Sequence, residues 1–249
     1  MPRFARLSAM LAAAALVAAP AAAQPDETAA ARRGMVANVQ QLVAAGAGGG
    51  ALRRLDPLVV RVMREVPRHL FVPESQRDRA YGDAALAIGH DATISQPVVV
   101  AMMTDLLDVD AGDVVLEVGT GSGYQAAVLS RLAGRVYSIE IVEPLARSAA
   151  ERLARLGYAA NVEVRAGDGY AGWPEHAPFD SIIVTAGASH VPAALVRQLK
   201  PGGRLLIPVG RTEASQQLVL VTKDARGRVS RRTLMPVSFI PLEEPGRDR

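Results

Sequence analysis

The chain has 249 residues, 49% of them hydrophobic and 21% charged, a composition that suits one globular domain with a sizeable core. Lysine and arginine number 28 against 25 acidic residues, and no basic tract with interleaved aromatics occurs, so nucleic acid is not an expected partner. The chain has no cysteine, which excludes disulfides, thiolate nucleophiles and Cys-ligated metals.

Residues 1–23 are predicted to be a cleaved export signal. Arg3 and Arg6 form a charged start, an apolar run follows from Leu7 to Ala19, and Ala21 to Ala23 give an A-x-A cleavage pattern. The run is shorter than the roughly 20 residues that a membrane-spanning helix needs. A membrane anchor or a buried helix is the alternative interpretation. Cleavage after Ala23 leaves 26 basic and 25 acidic side chains. The signal predicts an exported, periplasmic protein without stable membrane association.

Residues 24–97 are predicted to be a helical extension that ends in a substrate and cofactor loop. Turn residues dominate from Pro67 onward, and Pro97 suits the first position of a helix because its missing N–H is no loss there. The predicted elements are a helix over 26–45, a flexible glycine segment, a helix over 52–66, a loop over 67–97 and a helix over 97–109.

From Gly112 onward strands alternate with helices, which predicts a mostly parallel, doubly wound, Rossmann-like α/β sheet within a domain of residues 98–242. The run "DVVLEVG" is nearly all apolar, as in a strand buried on both faces. Strands over 216–224 and 229–242 predict an antiparallel hairpin at one edge of the sheet. A polar tail over 243–249 follows. The other predicted strands cover 135–140, 162–167, 179–186 and 203–210, with helices over 124–133, 144–157 and 192–199.

A glycine-rich turn, "LEVGTGSGYQ" (Leu116 to Gln125), joins the first of these strands to the next helix. Gly119, Gly121 and Gly123 let backbone N–H groups and a helix N-terminus approach a ligand closely. The spacing is G-x-G-x-G rather than the dinucleotide G-x-G-x-x-G. By itself, such a turn is a weak signal.

Three acidic residues make the prediction of a ligand site at this turn more specific. Glu117 interrupts an apolar strand, where an unpaired carboxylate is costly, and an ion pair or a capping contact is the alternative. Glu140 ends the second strand, where a carboxylate can accept both hydroxyls of a ribose; a surface charge is the alternative. Asp168 in "GDG" can bond an adenine amino group. These acids belong to consecutive strands, whose carboxyl ends are where open α/β sheets bind ligands.

This combination resembles the class I S-adenosylmethionine (AdoMet) methyltransferases. The chain then resembles, over roughly residues 30–242, the protein-L-isoaspartate O-methyltransferases, which carry similar segments in the same order. These segments are "VPRHLFVP", "AYGD", "ATISQP", "EVGTGSGYQAAVL", "GDGYAGWPEHAPFDSIIVTAGA" and "QLKPGGRLLIPVG".

The resemblance implies an enzyme that transfers a methyl group from AdoMet to the free α-carboxylate of L-isoaspartyl residues in damaged proteins, a repair reaction. The enzyme would bind isoaspartyl peptides and proteins and would be a monomer. Members of this family are otherwise cytoplasmic. Ser95 matches the active-site serine, and a helix-capping serine is the alternative. The implied cofactor-binding residues are Ala92, Thr93, Ile94, Ser95, Glu117, Gly119, Thr120, Gly121, Gly123, Glu140, Asp168 and Gly169, with no metal.

The loop "DAALAIGHDATIS" departs from the usual bacterial pattern D-x-P-L-P-I-G-x-G-Q-T-I-S, because two prolines and a Gly-Gln pair are missing. The departure concerns the peptide side of the site more than the cofactor side. It leaves open a methyltransferase of a small molecule. The export signal leaves open a non-catalytic AdoMet-fold binding protein, since AdoMet is made in the cytosol.

Overall fold

The computed structural model describes residues 27–243. The predicted export signal and nearly all of the predicted polar tail lie outside the described residues. Within residues 27–243, no helix is both long and apolar enough to cross a membrane.

The N-terminal part has three α-helices, three short 3-10 helices and a small hairpin that lead into the main sheet. Helix α2 begins at Pro57, so the prediction of a helix from residue 52 is wrong. Asp56 accepts a hydrogen bond from the Leu58 N–H (2.6 Å), and Pro57 occupies the first helical turn, which together set the start. The elements are α1 (Ala29–Ala44), α2 (Pro57–Glu65), β1 (Leu86–Gly89), β2 (Ala92–Ile94) and α3 (Pro97–Leu107).

Strands β1 and β2 lie in a stretch that we predicted to be a loop, so that prediction is wrong for these residues. The two strands pair antiparallel, and the cross-strand pair Leu86 and Ile94 is buried. His90 and Asp91 form the turn with φ of 53° and 55°, a left-handed conformation that such short polar side chains tolerate better than bulky or β-branched ones. The hairpin therefore fixes the orientation of residues 92–95.

The main sheet has seven strands in the order β5-β4-β3-β6-β7-β8-β9. Strands β3 to β7 are parallel, and β8 and β9 add an antiparallel hairpin at one edge, which confirms the predicted fold class. The strands are β3 (Val114–Val118), β4 (Arg135–Glu140), β5 (Val162–Ala166), β6 (Phe179–Val184), β7 (Leu199–Val209), β8 (Gln217–Lys223) and β9 (Val229–Pro236), with helices α4 (Tyr124–Leu129), α5 (Glu143–Arg155) and α6 (Ala193–Gln198) between them.

The last strand ends at Pro236, six residues before the predicted end at residue 242. Proline has no N–H to extend the ladder, and the chain leaves the sheet there. It then runs beside Gly187, whose N–H donates to the Ile240 carbonyl (2.8 Å) and whose carbonyl accepts from the Leu242 N–H (2.8 Å).

One continuous apolar core joins the N-terminal helices to the sheet. Val39, Met63 and Leu107 from the helices belong to the same buried cluster as Val115 and Leu206 from the strands. A second cluster packs on the other face of the sheet. The predicted boundary near residue 97 therefore does not separate two hydrophobic cores.

Candidate active site

A cavity of about 600 Å³ opens at the carboxyl ends of the central strands. Strand β3 lies between β4 and β6, so the chain connections diverge on its two sides, the usual location of a ligand site in an open α/β sheet. The volume is in the range of small-molecule sites. Its walls come from the glycine turn, the end of β4, residues 90–96 and residues 235–243.

The glycine turn forms one wall. Gly119, Gly121 and Gly123 have φ of 99°, 51° and 83°, the left-handed region that favours glycine. A Cβ atom on Gly119 would lie 2.6 Å from Thr185 Oγ1, which in turn donates to the Gly119 carbonyl (2.6 Å). The turn thus presents bare backbone to the cavity, as close approach to a ligand requires.

Glu140 is buried at the end of β4 and lines the cavity. Its Oε2 accepts the Gly121 N–H (2.8 Å), and its Oε1 accepts the Val142 N–H (3.0 Å). A carboxylate offers about four acceptor positions. Glu140 can therefore fix the glycine turn and still accept two hydroxyl groups from a ligand.

Glu117 does not line the cavity. It is fully buried, and its Oε2 accepts a hydrogen bond from Ser138 Oγ (2.5 Å), while Oε1 has no partner within residues 27–243. The Ser138 and Thr120 hydroxyls lie 2.6 Å apart, so the carboxyl is linked to the cavity wall through them. Burial raises the Glu117 pKa to about 8; the Ser138 hydrogen bond opposes the shift, and the nearby Glu140 adds to it.

Two other predicted cofactor residues also lie off the cavity wall. Gly123 precedes α4 and packs toward Leu153, and Asp168 Oδ1 accepts the Tyr170 N–H (2.8 Å). The predicted residues that the fold brings together on the cavity wall are Ala92, Thr93, Ile94, Ser95, Gly119, Thr120, Gly121, Glu140 and Gly169.

Ser95 lies on the cavity wall between β2 and α3 and is half-buried. The helix-capping alternative does not apply, because Asp83 Oδ1 accepts the Val98 N–H (2.8 Å) at the start of α3. The Ser95 hydroxyl forms no hydrogen bond to any residue between 27 and 243. It is therefore available to a ligand.

The side chain of Arg68 connects the segments "PRHLFVP" and "AYGD" to the position of Ser95. The guanidinium is fully buried, donates to the carbonyls of Ala80 (2.9 Å) and Ala84 (3.3 Å), and lies over the Tyr124 ring. Desolvation lowers the Arg68 pKa. Arg68 thereby holds the loop that carries Asp83, and Asp83 sets the start of α3 next to Ser95.

Sequence reasoning missed the wall formed by residues 235–243, as well as Thr185 and Glu213. The apolar segment "VSFIPL" looked like the end of a strand, and only Pro236 signalled that the strand stops. Among the described residues, the titratable side chains on the cavity wall are four acids, a histidine and a tyrosine: His90, Asp91, Tyr124, Glu140, Glu213 and Glu243. In the described part of the chain, no three His, Asp or Glu side chains are grouped to hold a metal ion.

Comparisons with known proteins agree on one family. The family described as protein-L-isoaspartate(D-aspartate) O-methyltransferase matches residues 49–246. Protein-L-isoaspartate O-methyltransferase 1 of Cupriavidus necator is 60% identical over 188 residues, which cover 76% of this chain and 72% of that protein. Protein-L-isoaspartate O-methyltransferase 2 of Syntrophobacter fumaroxidans is also 60% identical, with 76% of each chain covered.

Two solved structures are similar over most of the chain. One protein-L-isoaspartate O-methyltransferase superposes with a TM-score of 0.72 and 30% identity, covering 84% of this chain and 66% of that one. A Plasmodium falciparum β-aspartate methyltransferase, in complex with S-adenosyl-L-homocysteine, gives a TM-score of 0.71 and 26% identity, with 85% and 98% covered.

Proposed function

The chain belongs to the protein-L-isoaspartate(D-aspartate) O-methyltransferase family and is an AdoMet-dependent protein-L-isoaspartate O-methyltransferase, and we propose that its site works by orienting a substrate that arrives already ionised. The Ser95 hydroxyl carries this proposal, since it lies free on the cavity wall while Asp83 caps the helix beside it. In this mechanism Ser95 is a hydrogen-bond donor and not a nucleophile.

An isoaspartyl residue exposes a free α-carboxylate, a group with a pKa of roughly 3.3–3.7 that is ionised at neutral pH. The nucleophile therefore belongs to the substrate, and no general base is needed. A neutral hydroxyl can hold the carboxylate without neutralising it as a lysine would, and no lysine or arginine from the described residues lines the cavity. Orientation of this kind contributes on the order of 7–11 kcal/mol.

The glycine turn and Glu140 form the wall that suits the cofactor. Bound there, AdoMet supplies an electrophilic methyl group on a sulfonium sulfur. Glu140 would accept the ribose hydroxyls, and the left-handed turn at Gly119 and Gly121 leaves room for close backbone approach. Thr120 is part of this wall, and its hydroxyl is joined through that of Ser138 to the buried carboxyl of Glu117, which lies off the cavity.

Paired peptides that differ only in an isoaspartyl or an aspartyl residue test the function. The purified protein, given methyl-labelled AdoMet, should label the isoaspartyl peptide strongly and the aspartyl peptide only at background, because only the former exposes an α-carboxylate at that position. Equal labelling of both peptides, or labelling of neither, would contradict the assignment. Methylation of a metabolite in place of both peptides would favour a small-molecule methyltransferase.

We further propose that the protein acts outside the cytoplasm. The support is the charged start, short apolar run and A-x-A pattern in residues 1–23. Cell fractionation of the full chain should recover a periplasmic protein whose N-terminal residue is Gln24. Recovery of the uncleaved chain in the cytoplasm would contradict this proposal without touching the enzymatic assignment.

A further inference from the structure

One wall of the cavity is an extended segment outside the sheet, residues 237–242, here called the strap. Every strap residue lines the cavity. Its far end is tied to Gly187 by the two backbone hydrogen bonds of Ile240 and Leu242 described above. The strap has no strand beside it at its near end, so its position there depends on another contact.

Gln216 supplies that contact through three hydrogen bonds. Its main-chain carbonyl accepts the Val237 N–H (3.0 Å). Its side-chain Oε1 accepts the Phe239 N–H (2.7 Å), and its Nε2 donates to the Phe239 carbonyl (2.9 Å). The side-chain amide thus takes the place of a neighbouring strand residue.

The surroundings of Gln216 bury this amide and leave space for it. The residue is 2% exposed, and all the hydrogen-bonding atoms of its side chain face the strap. Gly187 leaves the space that the amide fills, because a Cβ atom there would lie 2.0 Å from Gln216 Nε2. A buried amide that lost these partners would incur a desolvation cost, so the pairing is strongly favoured.

We propose that Gln216 is a positioning residue that sets the peptide-side wall of the active site and thereby the KM for the isoaspartyl substrate. The proposal rests on the proposed function, in which the glycine turn and Glu140 hold the cofactor and leave the strap to face the peptide. Gln216 does not line the cavity and acts only through the strap. Its loss should therefore affect peptide binding more than AdoMet binding.

Replacing Gln216 by methionine, which has a similar length and no amide, tests this. We expect Gln216→Met to raise the KM for the isoaspartyl peptide at least about tenfold, because the variant loses both neutral hydrogen bonds between this side chain and Phe239. The KM for AdoMet should stay within about twofold. Gln217→Met is the matched control, since the Gln217 side chain forms no hydrogen bond within the described residues; it should leave both KM values unchanged.

Amide hydrogen exchange gives a second readout that needs no methyl transfer. In Gln216→Met the Phe239 amide, which loses its acceptor, should exchange faster, whereas the Val237 amide, bonded to the main chain, should change less. An unchanged peptide KM, or an equal rise in both KM values, would overturn the proposal, as would a Phe239 amide that keeps its protection.

Gln216→Asn keeps a neutral amide but is one methylene shorter, so it cannot reach both the N–H and the carbonyl of Phe239 as Gln216 does, and it serves if the methionine variant does not fold. It should raise the peptide KM selectively too, and a wild-type KM would overturn the proposal. If the wild type itself labels no isoaspartyl peptide, the proposed function fails, while the exchange experiment still decides whether Gln216 holds the strap.

Discussion

Ser95→Ala should lower kcat for an isoaspartyl peptide roughly 10- to 100-fold, because a hydrogen bond to a charged group contributes about 1.5–3 kcal/mol. The hydroxyl is a free polar group on the wall between the hairpin and helix α3, and alanine removes it without disturbing the cap, which Asp83 provides. The affinity for S-adenosyl-L-homocysteine, measured by calorimetry, should change much less than kcat.

Ser230→Ala is a suitable control for this prediction. Ser230 is an exposed serine on β9 whose hydroxyl lies 2.7 Å from that of Thr222, and it is not part of the cavity wall. Turnover of this variant should equal that of the wild type. An undiminished kcat in Ser95→Ala would remove the orienting role, and a loss confined to cofactor affinity would make Ser95 a cofactor contact only.

Glu117→Gln should make the protein more stable than the wild type at neutral pH, with an advantage that grows as the pH rises. The folded Glu117 pKa is about 8 because of burial, whereas the unfolded carboxyl titrates near 4.5. Between these values the unfolded chain has released a proton that the folded protein keeps, so the free energy of unfolding of the wild type falls with rising pH. The slope approaches about 1.4 kcal/mol per pH unit, and glutamine removes it.

Urea unfolding of both proteins from pH 5 to pH 8 measures this difference. The gap should widen by on the order of 2–3 kcal/mol between pH 5 and pH 7. Glu151→Gln, at an exposed position on α5, should keep the wild-type pH profile. Parallel profiles for Glu117→Gln and the wild type would show that Glu117 is ionised in the folded protein.

The sequence predicts the glycine turn and Glu140 on the cavity wall better than it predicts the strap. The glycine turn and Glu140 are visible because left-handed backbone and an acid after an apolar strand are local signals. Ser95 is predicted to be the active-site serine through resemblance, and only the contact between Asp83 and Val98 shows that Ser95 does not cap the helix. That contact joins residues 15 positions apart, which no local pattern records.

The strap and the β1–β2 hairpin could not be predicted for related reasons. Residues 237–242 are extended and apolar, so their pattern equals that of a strand, and their departure from the sheet depends on Gln216, 23 residues earlier than Phe239. The hairpin strands are too short to show a period. Glu117 stays a predicted cofactor residue; the structure places it off the cavity wall and against Ser138, a pairing set by the register of β3 and β4.

The hydrogen bond between Asp168 and the Tyr170 N–H also bears on isoaspartate formation in this protein itself. Asp168 is the chain's one aspartate followed by glycine, and its two asparagines, Asn38 and Asn161, each precede a valine, whose branched side chain hinders succinimide closure. Closure at Asp168 requires the Gly169 nitrogen to reach the side-chain Cγ. With Oδ1 held by Tyr170 at 2.8 Å, the carboxyl must first break that bond and rotate. The Asp-Gly pair of this chain thus lies beside the active site in a geometry that opposes succinimide closure, and we expect isoaspartate to form there more slowly than in an unfolded chain.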